Sequence, residues 1–285
     1  MRLLIAVAAL MALASAALAP ALAAEADSTA TEGQNKATVD VVITFPGGVK
    51  MEGTLLKATN TGTLTVRTAG GEQEFRRQDW YMVEAKQRPA DLNTARGLMA
   101  QKTQDAYRAA AKLYQKAYEQ NAHLYIFGAE ALDGRAQAEA YMNQYTQAAG
   151  TYKQLFSEYS GVDITAERRY RYAMVLKRVG GKDSIAEAIA QLERVIDATD
   201  DALTMRALNE LGGLHYDNDD YYLALRSYLQ VLILYGGQTS EAARKELALA
   251  KKNALQCCDK LGKSSSSEMK RRVARIRDRV ENMKF

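Results

Sequence analysis

The chain has 285 residues, of which 47% are apolar and 25% are charged, and its formal net charge is +4. A chain of this length and composition can bury the core of one large or two modest domains. Two histidines and two cysteines leave little material for a zinc site, a Ser/His/Asp relay or a disulfide framework. The sequence also has no glycine-rich phosphate loop. We therefore expect no cofactor, no metal and no enzymatic activity.

The amino terminus has the pattern of a secretory signal peptide. Arg2 precedes the apolar run LLIAVAALMALASAALAPALAAEA, which is rich in small residues and offers Ala-x-Ala cleavage sequences. We predict cleavage near Ala23 or Ala24, which removes residues 1–24 and places the protein in the periplasm or outside the cell. The alternative is a retained membrane anchor, but the polar segment that follows favours cleavage.

Residues 25–36 are small and polar and are predicted to form a flexible linker. Alternating apolar residues and glycine-containing turns then predict about five short strands within residues 37–88. A closed barrel is expected, because closure removes edges that so short a sheet could not hide. Trp80, the only tryptophan, is expected in the last strand as a core or interdomain contact. The predicted strands are 38–45, 49–58, 63–69, 72–77 and 80–85.

This segment resembles the Sm-like or SH3-like barrel module. Gly48, Gly53 and Leu55 stand at the places of its glycine-containing hairpin and bent second strand. Intracellular Sm-like proteins bind RNA, but the RNA-contacting signature is not evident and an exported chain meets no obvious RNA. We therefore expect no nucleic-acid partner. The barrel is expected either to bind a ligand or to cap the helices that follow it.

Residues 91–262 are predicted to form paired helices. No proline follows Pro89, and four stretches carry a small residue, a large residue four positions on and an apolar residue three further. The alanines at the small position are spaced 38, 40 and 36 residues apart. A small residue at a helix crossing allows close approach, while large neighbours fill the groove on either side. The four triplets are Ala110/Tyr114/Ala117, Ala148/Tyr152/Leu155, Ala188/Leu192/Val195 and Ala224/Tyr228/Val231.

These helices resemble three to four degenerate tetratricopeptide repeats, a family whose period is 34 residues. The fourth unit resembles the family most, with Leu208, Leu211 and Gly212 on its first helix and Tyr221, Ala224 and Tyr228 on its second. The second unit matches at Leu132, Ala136, Tyr145, Ala148 and Tyr152. The third unit is expected to need a longer turn through residues 180–183, and the first lacks a convincing leading helix.

The resemblance implies a solenoid whose first helices line a groove for a peptide, a helix or a protein subunit. The groove-lining positions that it implies are Tyr141, Tyr170, Lys177, Arg206 and Asn209. Residues 216–220 are expected to form an interhelix turn, with Asp219 or Asp220 as the helix cap, and not to form a metal site with His215.

Two further helices are predicted at the carboxyl end. The first covers residues 240–261 and is expected to stop at Gly262; it contains Cys257 and Cys258, which are expected to be half-buried or to pair with another chain. Residues 263–285 form a basic amphipathic helix, with a capping box of Ser265 and Glu268. Its apolar seam is Met269, Val273, Ile276, Val280 and Met283.

Three roles remain open for this last helix. It can fold back on the last repeat, form an intermolecular coiled coil and so a homo-oligomer, or attract anionic lipid headgroups or an acidic partner. Residues 263–285 hold eight Lys and Arg against three acids.

The sequence thus predicts an α+β multidomain protein, in which a small β-barrel precedes a tetratricopeptide-like solenoid and an amphipathic helix. Its expected function is that of an exported, non-enzymatic scaffold of the cell envelope that recognises a peptide or protein partner. One alternative is an enzyme or enzyme subunit acting on cell-wall glycan, which a deep pocket with two facing carboxylates would favour. Another is a structural oligomer assembled through the last helix.

Overall fold

The computed structural model describes residues 38–59, 61–160, 164–264 and 266–284. The predicted signal peptide and linker lie outside these residues. Within the described part, a five-stranded sheet precedes ten helices. No helix in these ranges has an apolar stretch long enough to cross a membrane.

The sheet is antiparallel, and its strand order is β4-β3-β2-β1-β5. The five predicted strands are therefore confirmed, but the predicted closed barrel is wrong: β4 and β5 end the sheet and each pairs on one side only. Trp80 lies before the last strand and not in it. The strands are β1 (Val39–Thr44), β2 (Lys50–Ala58), β3 (Leu64–Thr68), β4 (Gly71–Phe75) and β5 (Met82–Ala85).

Two local features distinguish the second strand. Its register against β3 shifts between Leu55 and Lys57, as in a β-bulge. At Gly53 the neighbouring strand comes so close that a Cβ atom would lie 2.9 Å from the carbonyl oxygen of Arg67. Glycine is required there because β3 occupies the space of a side chain.

The sheet shares one hydrophobic core with the first helices. Val41, Ile43 and Leu55 from the sheet are fully buried in the same cluster as Leu92 and Leu132 from the helices. A backbone bridge adds to this contact, since the amide of Ala58 donates to the carbonyl of His123 at 2.8 Å. The sheet is therefore packed directly onto the beginning of the helical region.

The helices form successive hairpins. The first unit does have a leading helix, α1, which corrects the prediction that it lacks one. The helices are α1 (Ala90–Ala100), α2 (Gln104–Asn121), α3 (Tyr125–Tyr141), α4 (Tyr145–Glu158), α5 (Ala166–Val179), α6 (Lys182–Ala198), α7 (Ala202–Asp217), α8 (Tyr221–Tyr235), α9 (Glu241–Ser264) and α10 (Ser267–Asn282).

The small and large residues of the repeat pattern meet inside these hairpins. At Gly212 on α7, an added Cβ atom would lie 2.7 Å from the ring of Tyr228 on α8. Every residue proposed for repeat packing is buried: Ala110, Tyr114, Ala148, Tyr152, Ala188, Leu192, Leu208, Leu211, Gly212, Ala224 and Tyr228.

The helices that begin each hairpin lie side by side. Contacts join α1 to α3, α3 to α5, α5 to α7 and α7 to α9. These five helices present one continuous surface, which we call the first-helix face. Each hairpin also packs against the next one along the chain, as expected for a solenoid of stacked repeats.

Two turns differ from their predictions. The turn between α5 and α6 is only two residues long, because Gly180 and Gly181 reverse the chain with φ angles of +73° and +78°. At the turn between α7 and α8, Asp220 occupies the cap position but its side chain caps no amide. It accepts a hydrogen bond from Asn218 at 2.9 Å instead, while Asp219 accepts one from the Tyr221 hydroxyl.

The carboxyl end forms a fifth hairpin. α9 continues through Gly262 to Ser264, so the predicted stop at Gly262 is wrong. The cap of α10 is Ser266, whose side chain accepts from the amide of Met269 at 3.4 Å, and not Ser265 as predicted.

The seam of α10 faces the rest of the chain. Val273 and Val280 are buried in the core that α8 and α9 share with α10, and Met269, Ile276 and Met283 pack against it. Cys257 and Cys258 are buried free thiols in that same core, and burial raises the pKa of Cys257 to about 12. The thiols are therefore protonated at neutral pH and poor nucleophiles.

We expect Gly212→Ala to lower the free energy of unfolding by about 1–3 kcal/mol, because the new methyl group must displace the Tyr228 ring. The matched control is Gly150→Ala on α4, where nothing lies within 4 Å of an added Cβ. That control should raise stability by about 1 kcal/mol through helix propensity. Urea unfolding measures both changes. If Gly212→Ala also raises the free energy of unfolding, as the control does, the close contact between Gly212 and the Tyr228 ring is contradicted.

Candidate functional site

A cleft of about 790 Å³ lies between the sheet and the first-helix face. Its walls come from the segment around β5 on one side and from α1, α2, α3 and α5 on the other. The residues that line it are Arg77, Trp80, Tyr81, Met82, Val83, Arg96, Met99, Tyr114, Tyr125, Ile126, Glu130, Asp133, Gly134, Gln137 and Arg168.

Trp80 joins the two sides of this cleft. Its indole N–H donates to the carbonyl of Gly62 at 2.9 Å, and its ring stacks on that of Tyr125 with centroids 6.1 Å apart. The guanidinium of Arg77 lies 4.1 Å from the centre of the indole ring and donates to the Trp80 carbonyl. Only 5% of Trp80 is exposed, so it is a contact between sheet and helices, as the sequence predicts, and not a platform for a ligand.

The residues that follow Trp80 reach solvent at the cleft. Tyr81 is 73% exposed and Met82 is 39% exposed. When large side chains of this kind bind a partner, much of their apolar surface is removed from water. Such side chains are enriched at protein interfaces. The lip of the cleft at β5 therefore carries apolar surface that the described chain does not cover.

Two carboxylates in the cleft are each held by two arginines. Glu130 forms ion pairs with Arg88 and with Arg96, the latter at 3.1 Å. The arginines come from α1 and the segment before it, and the carboxylate comes from α3. These pairs tie α1 to α3.

The second carboxylate, Asp133, ties α3 to α5. It pairs with Arg168 at 3.4 Å and with Arg171 at 2.8 Å, and the hydroxyl of Tyr152 donates to it at 3.2 Å. Burial lowers the pKa of Arg171, but the charge and hydrogen bond of Asp133 and the nearby Tyr152 and Glu167 together outweigh this effect, and the net shift is upward. Arg171 is therefore a fixed cation beside the cleft, and Arg168 is held at the cleft by its ion pair with Asp133.

A smaller hollow of about 270 Å³ continues along the first-helix face. Gln137 lines both the cleft and this hollow, which places the two next to each other on α3. Tyr141 and Tyr145 form its aromatic wall, and Met174 and Arg178 face them from α5. The cleft and the hollow are therefore neighbouring parts of one surface.

The five residues implied as groove-lining all lie on first helices. Tyr141 ends α3, is 55% exposed and stacks on Tyr107 at 5.0 Å. Tyr170, Lys177, Arg206 and Asn209 lie on α5 and α7. The structure thus separates Tyr141, which lines the hollow, from the other four.

Those four residues connect neighbouring first helices. Lys177 pairs with Glu210 at 2.7 Å, and Arg206 lies 5.0 Å above the ring of Tyr170. Burial raises the pKa of Tyr170 to about 12. Asn209 is 5% exposed and donates to the side chain of Glu246 on α9 at 2.8 Å, so its side chain links α7 to α9.

Sequence reasoning missed the residues that shape the cleft. Arg96 lies 34 residues before Glu130 and Arg168 lies 35 residues after Asp133, so these side chains meet only because α1, α3 and α5 stack. One local signal was present: α5 begins AERRYR, which places three arginines within four residues. Several arginines close together on one helix indicate acidic ion-pair partners on the neighbouring helices.

The two carboxylates that line the cleft are both engaged by arginines. Glu130 and Asp133 are both engaged by guanidinium groups, so neither is paired with the other as an acid and a base. Within the described ranges, no three side chains of His, Cys, Asp or Glu are grouped to hold a metal ion.

Comparison with known proteins supports the helical architecture. No protein-family model matches the chain, and no curated protein matches it. The crystal structure of a Podosopora anserina putative kinesin light chain with nearly identical TPR-like repeats is similar over 67% of this chain and 96% of its own, with 14% identity and a TM-score of 0.50. This similarity shows the fold: the chain contains a tetratricopeptide-like solenoid, as its spacing predicts.

Two other solved structures are similar at lower scores. MamA from Desulfovibrio magneticus RS-1 is 16% identical, with a TM-score of 0.42 over 68% of this chain and 98% of its own. YrrB, described as a TPR protein with an unusual peptide-binding site, is 16% identical, with a TM-score of 0.43 over 65% of this chain and 90% of its own.

We expect Asp133→Asn to lower the free energy of unfolding by about 3 kcal/mol, because it leaves the buried Arg168 and the half-buried Arg171 without their shared carboxylate. The matched control is Asp105→Asn, which removes an exposed carboxylate paired with Arg108 and should change stability by no more than about 0.5 kcal/mol. Chemical denaturation measures both. If both substitutions lower the free energy of unfolding by the same small amount, the structural role of the Asp133 ion pairs is contradicted.

Proposed function

We propose that this protein is an exported, non-enzymatic binding or scaffold protein that holds a peptide or a segment of another protein. The partner lies in the cleft and along the first-helix face. The observation that carries this proposal is the open cleft itself, with Tyr81 and Met82 exposed at its lip and charged walls on the helices.

The side chains in the cleft walls are held in fixed positions, which supports a role in binding. Glu130 and Asp133 fix arginines from α1, from the segment before it and from α5, so these side chains lose little conformational freedom when a partner arrives. Preorganised side chains reduce the entropic cost of association. A solenoid of stacked hairpins adds an extended surface that is typical of protein recognition.

The two alternatives have less support. An enzyme acting on glycan needs two carboxylates free to serve as acid and base or nucleophile, whereas both acids in the cleft are bound by arginines. Assembly through the last helix needs its apolar seam, whereas Val273 and Val280 are already buried against this chain. The basic outer face of α10 leaves peripheral contact with anionic lipid or an acidic partner as a further role.

The proposed location rests on the sequence of the amino terminus. Arg2 and the apolar run after it have the features of a cleaved signal peptide. A scaffold in the periplasm or on the outside of the cell would meet protein partners of the envelope. The mass of the protein recovered from cells tests this location, because removal of residues 1–23 or 1–24 is expected.

The binding site is tested by photo-crosslinking in cells that make the full chain. A benzophenone amino acid replaces Tyr81 in one variant and Tyr222 on α8 in the other. The two positions are matched, since both are tyrosines and they are 73% and 62% exposed. We expect a discrete protein adduct from position 81 and none, or a much weaker one, from position 222.

Adducts of equal yield from both positions would contradict the assignment of the partner to the cleft. A failure of position 81 to form any protein adduct, in cells where the chain is folded, would contradict the proposed function itself. Folding is checked by the circular dichroism of the purified variants.

A further inference from the structure

We propose that the free edge of β5 accepts an extended, acidic segment of the partner protein as an added strand within the cleft. This inference rests on the proposed function, because it specifies how the partner is held in the same cleft. It depends on three features: the unpaired edge of β5, the apolar side chains in the cleft walls beside that edge, and the excess of positive charge among the residues that line the cleft.

The edge is defined by the register of β5 against β1. Val41 lies opposite Ala85, and the amide of Lys86 donates to the carbonyl of Asp40 at 2.7 Å. In an antiparallel sheet, the backbone N–H and C=O groups of every second residue form hydrogen bonds with the same neighbouring strand. The N–H and C=O groups of Val83 and Ala85 therefore point away from β1 toward the free edge.

The two edges of the sheet differ in what surrounds them. On β4, Glu72 and Glu74 are exposed, and charged residues on an edge strand hinder the addition of another strand. They would also repel an acidic segment. β5 carries a single exposed carboxylate, Glu84, and its edge opens into the cleft, where Val83 is among the lining residues.

The cleft offers both apolar and cationic contacts to such a strand. Met99 and Ile126 on the helices face Tyr81 and Met82 on the sheet side. In strand addition the main-chain hydrogen bonds supply affinity, and alternate side chains enter pockets on either side. An extended segment beside β5 would place apolar side chains between these walls.

The charge of the residues that line the cleft favours an acidic segment. The charged residues that line the cleft are three arginines and two carboxylates. The lining of the cleft therefore carries a small positive excess; Arg88 adds a further positive charge beside Glu130, and the exposed Glu84 on β5 offsets it. Carboxylates on the incoming strand would neutralise this excess, and opposite charges also speed association.

The test uses the full chain and a short synthetic peptide in which glutamate alternates with valine. One control peptide has glutamine in place of every glutamate. Two others are N-methylated at alternate amides, one in each of the two possible sets. We expect the glutamine peptide to bind about tenfold more weakly, a change of about 1.4 kcal/mol.

The N-methylated peptides give the signature of an added strand. Only alternate amides of an added strand face its neighbour. One methylated set should therefore lose binding by at least about tenfold, while the other binds as the parent does. A peptide held by its side chains alone would not distinguish the two sets.

Two measurements on the protein locate the peptide. Hydrogen exchange followed by NMR should show the amides of Val83 and Ala85 slowed by at least about tenfold when the peptide is added. Arg96→Glu should weaken binding about tenfold. Its matched control, Arg108→Glu on α2, should not, because both arginines are similarly exposed and paired but only Arg96 lines the cleft.

The proposal is overturned if the glutamate peptide does not bind, if both methylated sets bind as the parent does, or if the two amides are unaffected. It is also overturned if these amides are already protected in the free protein, since another part of the chain would then cover the edge. A crosslink at position 81 that persists despite any of these results would leave the proposed function standing and reject only strand addition.

Discussion

The cleft depends on the hydrophobic core that the sheet shares with α1, α2 and α3. A sheet of five short strands has too little apolar surface to be stable alone, so it gains stability by burying one face against helices. Trp80 and Tyr125 make this contact at the floor of the cleft, and Arg77 covers the indole ring. Because the sheet is held there, the lip at β5 stands at a fixed distance from the first-helix face.

The first-helix face depends in turn on close packing within and between the hairpins. Gly212 on α7 accepts the ring of Tyr228 on α8 within one hairpin. Gly134 on α3 accepts the ring of Tyr114 on α2 of the preceding hairpin. The polar side chains of α1, α3, α5 and α7 then bond to the next first helix along the chain. Charged residues thus have two roles: they set the spacing of the first helices, and they leave fixed cations beside the cleft.

The sequence predicted the parts of this structure that depend on local pattern. The triplets of small, large and apolar residues identified α2, α4, α6 and α8, and the alternation of apolar residues identified the five strands. It missed α1 because only Leu92 and Ala95 of that helix are buried, which leaves a weak helical pattern in the sequence. It predicted closure of the barrel because an open edge is costly, but the sheet stays open at β4 and β5, and the helices bury one of its faces. The cleft could not be predicted, since its residues converge only through stacking.

The measurement that tests this account most directly is native-state hydrogen exchange of the full chain in increasing urea. A shared core predicts that the slowest amides of β1 and β2 open together with those of α2 and α3, with one free energy and one urea dependence. The cleft would then be a rigid, built site. Sheet amides that open with a clearly smaller free energy than the helices would show that the sheet is only loosely attached, and the proposed site would lose its physical basis.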